Sequence, residues 1–305
     1  MHRMLIGSLM LLAGLPTCGN AANSTDHNQK AILVTGASTG IGRRITERLA
    51  TDGYFVYAGA RKEADLQALG AIQNVQAVRL DVTKPEDIDA AVETVTKAGR
   101  GLHGLVNNAG IATIGTLIDM KPEEFDLVMK VNVYGPYRLS RAFAPLIVAN
   151  RGRIINIGSI AGILSDAEWG AYQMSKHALE TFSVTLAQEL TPSGVQVSII
   201  EPGSYKSDIF KNEVKRSGTG GHYAEQWTKL KEPDEVAAAV ESALFEPKPK
   251  LRYMVVPNQE QAEDTIKAQI EQLVQLNEGQ RYTYDRPTLT KMLDAALVGA
   301  RPRSK

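Results

Sequence analysis

The chain has one cysteine, Cys18, in 305 residues. That excludes a disulfide framework and a cysteine-ligated metal site. It has no excess of either charge: Lys and Arg together number 34, and so do Asp and Glu. With no long basic run, nucleic-acid binding has no electrostatic footprint. Five histidines (His2, His27, His103, His177 and His222) lack metal-ligand spacing and read as scattered structural or surface residues. No apolar run reaches the ~20 residues that cross a bilayer comfortably. Internal repeats and signs of a second domain are also missing. What remains is an ordinary globular composition, 43% hydrophobic and 22% charged, in a chain long enough for one large domain or two modest ones.

Residues 1–21 read as a secretory signal. Met1-His2-Arg3 is a short basic start, Met4 to Leu15 is apolar, and Gly19 and Ala21 are the small residues of a cut after Ala21. Leu15-Pro16-Thr17-Cys18 resembles a lipoprotein box, which Pro16 and Thr17 fit poorly. Residues 22–30 form a polar linker. The alternative is a misplaced start site and no export, so the location stays open between exported (periplasmic) and cytoplasmic.

From Ala31 apolar strands alternate with helical periodicity. Strands are predicted at Ala31 to Val34, Tyr54 to Ala58, Val75 to Leu80, Leu105-Val106, Ile154 to Ile157, Val195 to Ile200 and Tyr253 to Val256. Helices are predicted after Gly40, after a Thr83-x-x-Glu86 capping box with Pro85 in its first turn, over Pro122 to Ile147, over Tyr172 to Leu190 and over Asp234 to Leu244. Repeated β-α-β units imply an α/β fold: a doubly wound parallel sheet, Rossmann-like, in one domain over 31–258, with its ligand at the carboxyl ends of the strands. Residues 259–305 are a C-terminal helical extension. In it, Gln259 to Asn277 carries Ile266, Ile270, Leu273 and Val274 on one face.

Thr35-Gly36-Ala37-Ser38-Thr39-Gly40-Ile41-Gly42 follows the first strand and opens a helix, the context a dinucleotide site requires. Gly36 permits a tight turn, Gly40 lets a pyrophosphate approach the backbone, and Gly42 allows close helix packing. Backbone from Ser38 to Ile41 then presents the N–H groups and positive dipole end of the helix to phosphates.

This TGASTGIG loop resembles the cofactor loop of short-chain dehydrogenases/reductases. Asn107-Asn108-Ala109-Gly110 is similar to that family's NNAG element, Asp81 to its adenine-contacting aspartate, and Pro202-Gly203 to the turn beside the nicotinamide. The matches run in family order from about Ala31 to Val256. Asn108 and Ser207 join the implied cofactor contacts, although relatives often carry threonine at the latter position. The second strand ends in Ala60-Arg61-Lys62, with no acid in the segment, which favours a ribose 2′-phosphate and therefore NADP(H) over NAD(H). Relatives that prefer NADP often have a basic residue where Thr39 stands, so Arg61 carries most of that preference.

Tyr172-Gln173-Met174-Ser175-Lys176 puts a tyrosine and a lysine at i and i+4, on one helix face. A nearby ammonium is expected to lower the phenol pKa from its usual ~10, so that the pair can exchange a proton with a carbonyl or alcohol oxygen. Ser159 stands thirteen residues upstream. The resemblance implies that its hydroxyl orients the substrate oxygen, and that Asn132 holds a water relaying protons to Lys176. Asn132, Ser159, Tyr172 and Lys176 are thus the candidate catalytic set, with Tyr172 and Lys176 also facing the cofactor. Gly158 departs from the second serine common in relatives.

The expected function is hydride transfer between NADP(H) and an alcohol or ketone, with Tyr172 as general acid/base. A non-catalytic NADP(H)-binding sensor or scaffold is the alternative, disfavoured by the complete set. Export sits awkwardly with NADP(H), which is scarce outside the bacterial cytoplasm, and a twin-arginine signal is lacking. The segment Ile209 to Leu230, with Phe210, Tyr223, Trp227 and three glycines, reads either as a mobile lid or as ordinary core; Trp169 is placed at the pocket mouth. The tract Val197 to Gly203 resembles the retinol and hydroxysteroid branch, implying a bulky apolar substrate. Relatives are often homo-oligomers through helices elsewhere in the fold. The extension is expected to form one wall of the pocket.

Overall fold

The computed structural model describes residues 29–218 and 220–300. The signal and most of the linker lie outside the described residues. Seven strands form one sheet: β1 (Ala31–Val34), β2 (Phe55–Ala60), β3 (Val75–Arg79), β4 (Gly104–Asn107), β5 (Arg153–Ile157), β6 (Gln196–Pro202) and β7 (Arg252–Val255). Their order is β3-β2-β1-β4-β5-β6-β7, and every pairing is parallel. All four residues of β1 and of β4 are buried. Near-continuous apolar strands belong in a sheet covered on both faces.

Eleven α-helices accompany these strands among the described residues: α1 (Gly40–Thr51), α2 (Glu63–Gly70), α3 (Pro85–Ala98), α4 (Pro122–Met129), α5 (Gly135–Ala149), α6 (Gly170–Leu190), α7 (Ile209–Ser217), α8 (Gly221–Trp227), α9 (Asp234–Phe245), α10 (Gln259–Asn277) and α11 (Arg286–Ala300). Strand alternation divides the core in two. Ile32 and Val34 pack with Ile45 and Leu49 of α1 and with Val236 and Val240 of α9. Ala31 and Leu33 pack on the other face with Ile88 of α3 and with Leu139, Phe143 and Ile147 of α5. The strand order reverses between β1 and β4, so the crevice for a ligand opens at the carboxyl ends of these two strands.

Two local readings are corrected. Helix over Pro122 to Ile147 is broken by a π-helical turn, Lys130–Tyr134, which contains the buried Asn132; such turns gather at functional sites. The Thr83–Glu86 capping box does not form. Thr83 donates both its backbone N–H (2.9 Å) and its hydroxyl (2.7 Å) to Asp81 Oδ1, and α3 starts at Pro85 without a side-chain cap. An acceptor two residues back competes successfully for the threonine.

Among the described residues no helix is long and apolar enough to cross a membrane. The extension is helical as expected: Asn258 caps α10 by accepting the Gln261 N–H at 3.0 Å, and α11 follows after a turn.

Candidate active site

A cavity of about 760 Å³ lies at the carboxyl ends of the strands. Thr35 follows β1 and hands the chain to the glycine loop. Gly36 has φ +63°, and a Cβ there would meet the Ala109 backbone at 2.8 Å. A Cβ on Gly42 would stand 2.3 Å from both Asn108 Nδ2 and the Gly36 carbonyl oxygen. The loop therefore needs glycine at these points to close against the Asn108-Ala109 segment after β4. Asn108 Nδ2 donates to the carbonyl oxygens of Thr35 (2.8 Å) and Gly36 (3.1 Å), so this amide braces the loop while the residue lines the cavity. No side chain caps the N-terminus of α1. Its first N–H groups and the close-approach glycines form a cradle that fits a dinucleotide's phosphates.

Every residue expected to contact the cofactor lines this one cavity: the loop from Gly36 through Ser38, Thr39, Gly40 and Ile41 to Gly42, then Arg61, Asp81, Asn108, Tyr172, Lys176, Pro202, Gly203 and Ser207. Lys62 lines it too. An acid does approach Arg61 from the neighbouring strand end: Arg61 Nη1 lies 4.0 Å from Asp81 Oδ2. Parallel pairing of β2 with β3 brings the two strand ends together although twenty residues of sequence separate them. Arg61 remains largely exposed, so that pair is a weak one.

Ser159, Tyr172 and Lys176 converge at the inner end of the cavity. Ser159 follows β5 and caps a short 3₁₀ turn, its Oγ accepting the Ala161 N–H at 3.1 Å and donating to the Pro202 carbonyl at 3.4 Å. Lys176, one turn along α6, is buried and donates to the Ile157 carbonyl at 2.8 Å. Its Nζ is 5.5 Å from the Tyr172 ring centre. The expected lowering of the tyrosine pKa is not what the environment produces. Burial pushes the Tyr172 hydroxyl up to about 12, against the smaller lowering by Ser159. Burial also pulls Lys176 down to about 8, partly offset by Glu180. Desolvation disfavours both charged forms.

Asn132 does not line the cavity. Its amide is spent on Ile111, accepting from N–H and donating to C=O, both at 2.9 Å, and on Ser175 Oγ at 2.9 Å. It and Lys176 flank Gly110, where a Cβ would lie 3.5 Å from Asn132 Oδ1 and 3.9 Å from Lys176 Nζ.

Aromatic rings close the far end. Trp169 meets Tyr172 at 6.2 Å, Phe210 at 5.2 Å and Tyr223 at 5.1 Å, and Phe210 meets Trp227 at 4.5 Å between ring centres. Trp169, Phe210 and Trp227 line the cavity. Arg216 fastens α7 to the floor, donating to the Ala112 carbonyl at 2.7 Å and pairing with Glu124 at 3.1 Å and with the buried Glu213.

Two features escaped sequence reasoning. Behind the site, Arg252 on β7 pairs with Glu201 of β6 at 2.7 Å and with Glu180 of α6. The extension contributes no wall to the cavity, contrary to expectation. Its first turn instead reaches the Pro202-Gly203 turn from behind, where Gln261 Oε1 accepts the Ser204 N–H at 2.9 Å. A lone Glu or Gln in a helix gives no sequence signal for either role.

Comparison with known proteins agrees with this architecture. The short chain dehydrogenase family matches over residues 30–218. The mitochondrial D-beta-hydroxybutyrate dehydrogenase of Bos taurus is 35% identical over 198 residues, 61% of this chain and 57% of that one. Retinol dehydrogenase 5 of Mus musculus is 38% identical over 192 residues, 61% of this chain and 60% of that one. The chain thus spans little more than half the length of these two relatives. The crystal structure of a metagenomic short-chain oxidoreductase in complex with NADP aligns with a TM-score of 0.62 at 32% identity, covering 75% of this chain and 98% of that one. The chain belongs to the short-chain dehydrogenase family of oxidoreductases.

Proposed function

We propose that the chain is an NADP(H)-dependent oxidoreductase that interconverts a bulky apolar alcohol and the matching carbonyl compound. The observation that carries this reading is the convergence of Ser159, Tyr172 and the buried Lys176 on one cavity, the same cavity that the glycine cradle lines. When bound, NADP(H) supplies or accepts the hydride. In the reducing direction Tyr172 donates its proton to the carbonyl oxygen and Ser159 orients that oxygen. A tyrosine held protonated by burial is suited to donation. Lys176 restores the proton, and Asn132 holds the Ile111 backbone next to Gly110.

Arg61 and Lys62 at the end of β2 favour the 2′-phosphate. Solved relatives of this fold hold either NADP or NAD, so the preference rests on those two cations. The aromatic end formed by Trp169, Phe210 and Trp227 favours a bulky apolar substrate, in keeping with the retinol dehydrogenase relative. A panel of ketones, aldehydes and alcohols, followed by NADPH absorbance, tests the reading. Turnover of apolar carbonyls by the native chain, lost in Tyr172→Phe while NADPH still binds, is the expected result. Equal turnover by Tyr172→Phe overturns it.

A further inference from the structure

Three charged groups meet behind Lys176 without a part in the proposed reaction. Arg252 Nη1 pairs with Glu201 Oε1 at 2.7 Å and with Glu180 Oε2, and both carboxylates are buried. Glu180 spends only that one oxygen. Its other, Oε1, is buried with no hydrogen-bond partner among the described residues. A carboxylate oxygen taken out of water without a partner is costly, so it calls for a cation or a proton. Two glycines keep the space around it open: a Cβ on either Gly158 or Gly162 would lie 3.1 Å from Glu180 Oε1. A serine at 158, common in relatives, would bring a hydroxyl within reach of that oxygen, and glycine leaves it bare.

Lys176 stands one turn earlier on α6. Helical side chains lean towards the N-terminus, so the Glu180 carboxylate leans over the Lys176 turn. Gly162 lies over both residues: its Cβ would also meet the Lys176 carbonyl oxygen at 3.2 Å. The two charges converge on one backbone segment, the ammonium on the Ile157 carbonyl at 2.8 Å and the bare oxygen on Gly158. We propose that Glu180, clamped by Arg252, is a positioning residue for the reaction: its bare oxygen compensates the buried Lys176 ammonium and holds a proton on it beside Tyr172. Glu201 on β6 and Arg252 on β7 are the other charged groups facing Glu180, and the residues facing it after β5 are glycines. With both carboxylates ionised, Lys176, Arg252, Glu180 and Glu201 sum to zero only while Lys176 is protonated. Its deprotonation leaves a net negative charge where water is excluded, which is unfavourable. In the same sense, Glu180 raises the Lys176 pKa against the burial that lowers it.

This role rests on the reaction proposed above for its consequence in turnover, but the hold of Glu180 on the lysine proton is measurable without it. In the full chain carrying lysine labelled with carbon-13 at Cε, the Lys176 resonance, assigned by its loss in Lys176→Met, is titrated in the native protein and in Glu180→Gln, Glu180→Asp and Glu201→Gln. Circular dichroism and NADPH affinity check the fold of each. Glu180→Gln should lower the Lys176 midpoint by roughly one pH unit or more, as loss of a close opposite charge does. Glu180→Asp keeps the charge and should recover part of the shift. Glu201→Gln removes a carboxylate from Arg252 but not from the Lys176 turn, and should leave the midpoint near native. An unchanged midpoint in Glu180→Gln, or equal falls in Glu180→Gln and Glu201→Gln, overturns the proposal. Where Glu180→Gln does not fold, the reciprocal titration decides, because coupling is mutual: Lys176→Met should raise the Glu180 carboxyl midpoint, and an unchanged one overturns the proposal. In turnover, carbonyl reduction falls off as Lys176 loses its proton, so the alkaline limb of kcat should move with the resonance. A moved resonance with a fixed alkaline limb upholds the hold of Glu180 on Lys176 and overturns instead the proposed return of the proton through Lys176.

Discussion

Glu180 stands one helical turn beyond Lys176 on α6, both side chains are buried, and Glu180 is the charged neighbour that raises the lysine's pKa. Lys176 nevertheless sits near 8 because burial outweighs that attraction. A lysine whose folded pKa lies below its usual 10.5 binds fewer protons in the folded than in the unfolded chain between those two values. Stability from this group therefore rises as pH increases from about 8 towards 10.5, and below 8 the full cost of a buried ammonium is present. That cost is at most on the order of 3 kcal/mol. Urea unfolding of the native chain and of Lys176→Met over this pH range should show the rise in the native chain and its loss in the variant. Parallel curves would show that Lys176 is not desolvated.

Glu180 works in the opposite sense. Burial, with repulsion from Glu201, pushes its carboxyl up to about 7 against the pull of Arg252. A raised carboxyl binds extra protons in the folded chain above its usual 4.5, so stability falls as pH rises from there through about 7. Arg252→Met removes the counter-charge from both Glu180 and Glu201. It should destabilise the chain more at neutral pH than at pH 5, where Glu180 is protonated; Arg252 is 44% exposed, so the loss stays below the about 3–5 kcal/mol of a fully buried pair. Thermal melts at the two pH values measure the difference; an equal loss at both would remove Glu180 from the account.

The proposed preference for NADPH rests on Arg61, which competes with nothing stronger than Asp81 at 4.0 Å. Arg61→Asp removes a charge-assisted contact of roughly 1.5–3 kcal/mol, or one to two decades of affinity. Titrating NADPH and NADH into both proteins should show NADPH binding weakened and NADH binding little changed. Equal affinities before and after the substitution would mean that Lys62 or the loop alone reads the ribose.

The parts legible in the sequence are those fixed by short spacing. Gly36, Gly40 and Gly42 announce a close-approach loop because Gly36 and Gly40 take positive φ values and because a Cβ on Gly36 or Gly42 would collide with its neighbours. Tyr172 and Lys176 share a face because a helix repeats every 3.6 residues. The parallel sheet was legible because strands covered on both faces are apolar throughout. The rest depends on residues far apart in sequence. Asp81 comes near Arg61 only through the pairing of β2 and β3. Glu180, Glu201 and Arg252 meet across three elements. The tyrosine pKa follows from how deeply α6 is buried, which an i, i+4 spacing does not report. The direction of α10 likewise depended on which end of it found a hydrogen-bond partner, so its apolar stripe pointed away from the cavity instead of into it.

That partner is the Ser204 N–H, accepted by Gln261 Oε1 at 2.9 Å, one residue past the Pro202-Gly203 turn. The turn is otherwise tied to the sheet by the Gly203 N–H donating to the Val255 carbonyl at 2.8 Å. It lines the cavity, and a Cβ on Gly203 would collide with Gln261 Oε1 at 2.2 Å, so turn and helix are packed without spare room. Gln261→Ala leaves the Ser204 N–H without its acceptor and opens space behind the turn. A lost hydrogen bond of about 1 kcal/mol, expressed in the position of the cofactor-side wall, corresponds to a several-fold rise in KM for NADPH. Gln261→Glu keeps the acceptor and should restore most of the affinity. The assembly state of both variants should match the native chain, because Gln261 lies on the domain side of α10. A Gln261→Ala enzyme with native KM for NADPH would show that β7 alone holds the turn.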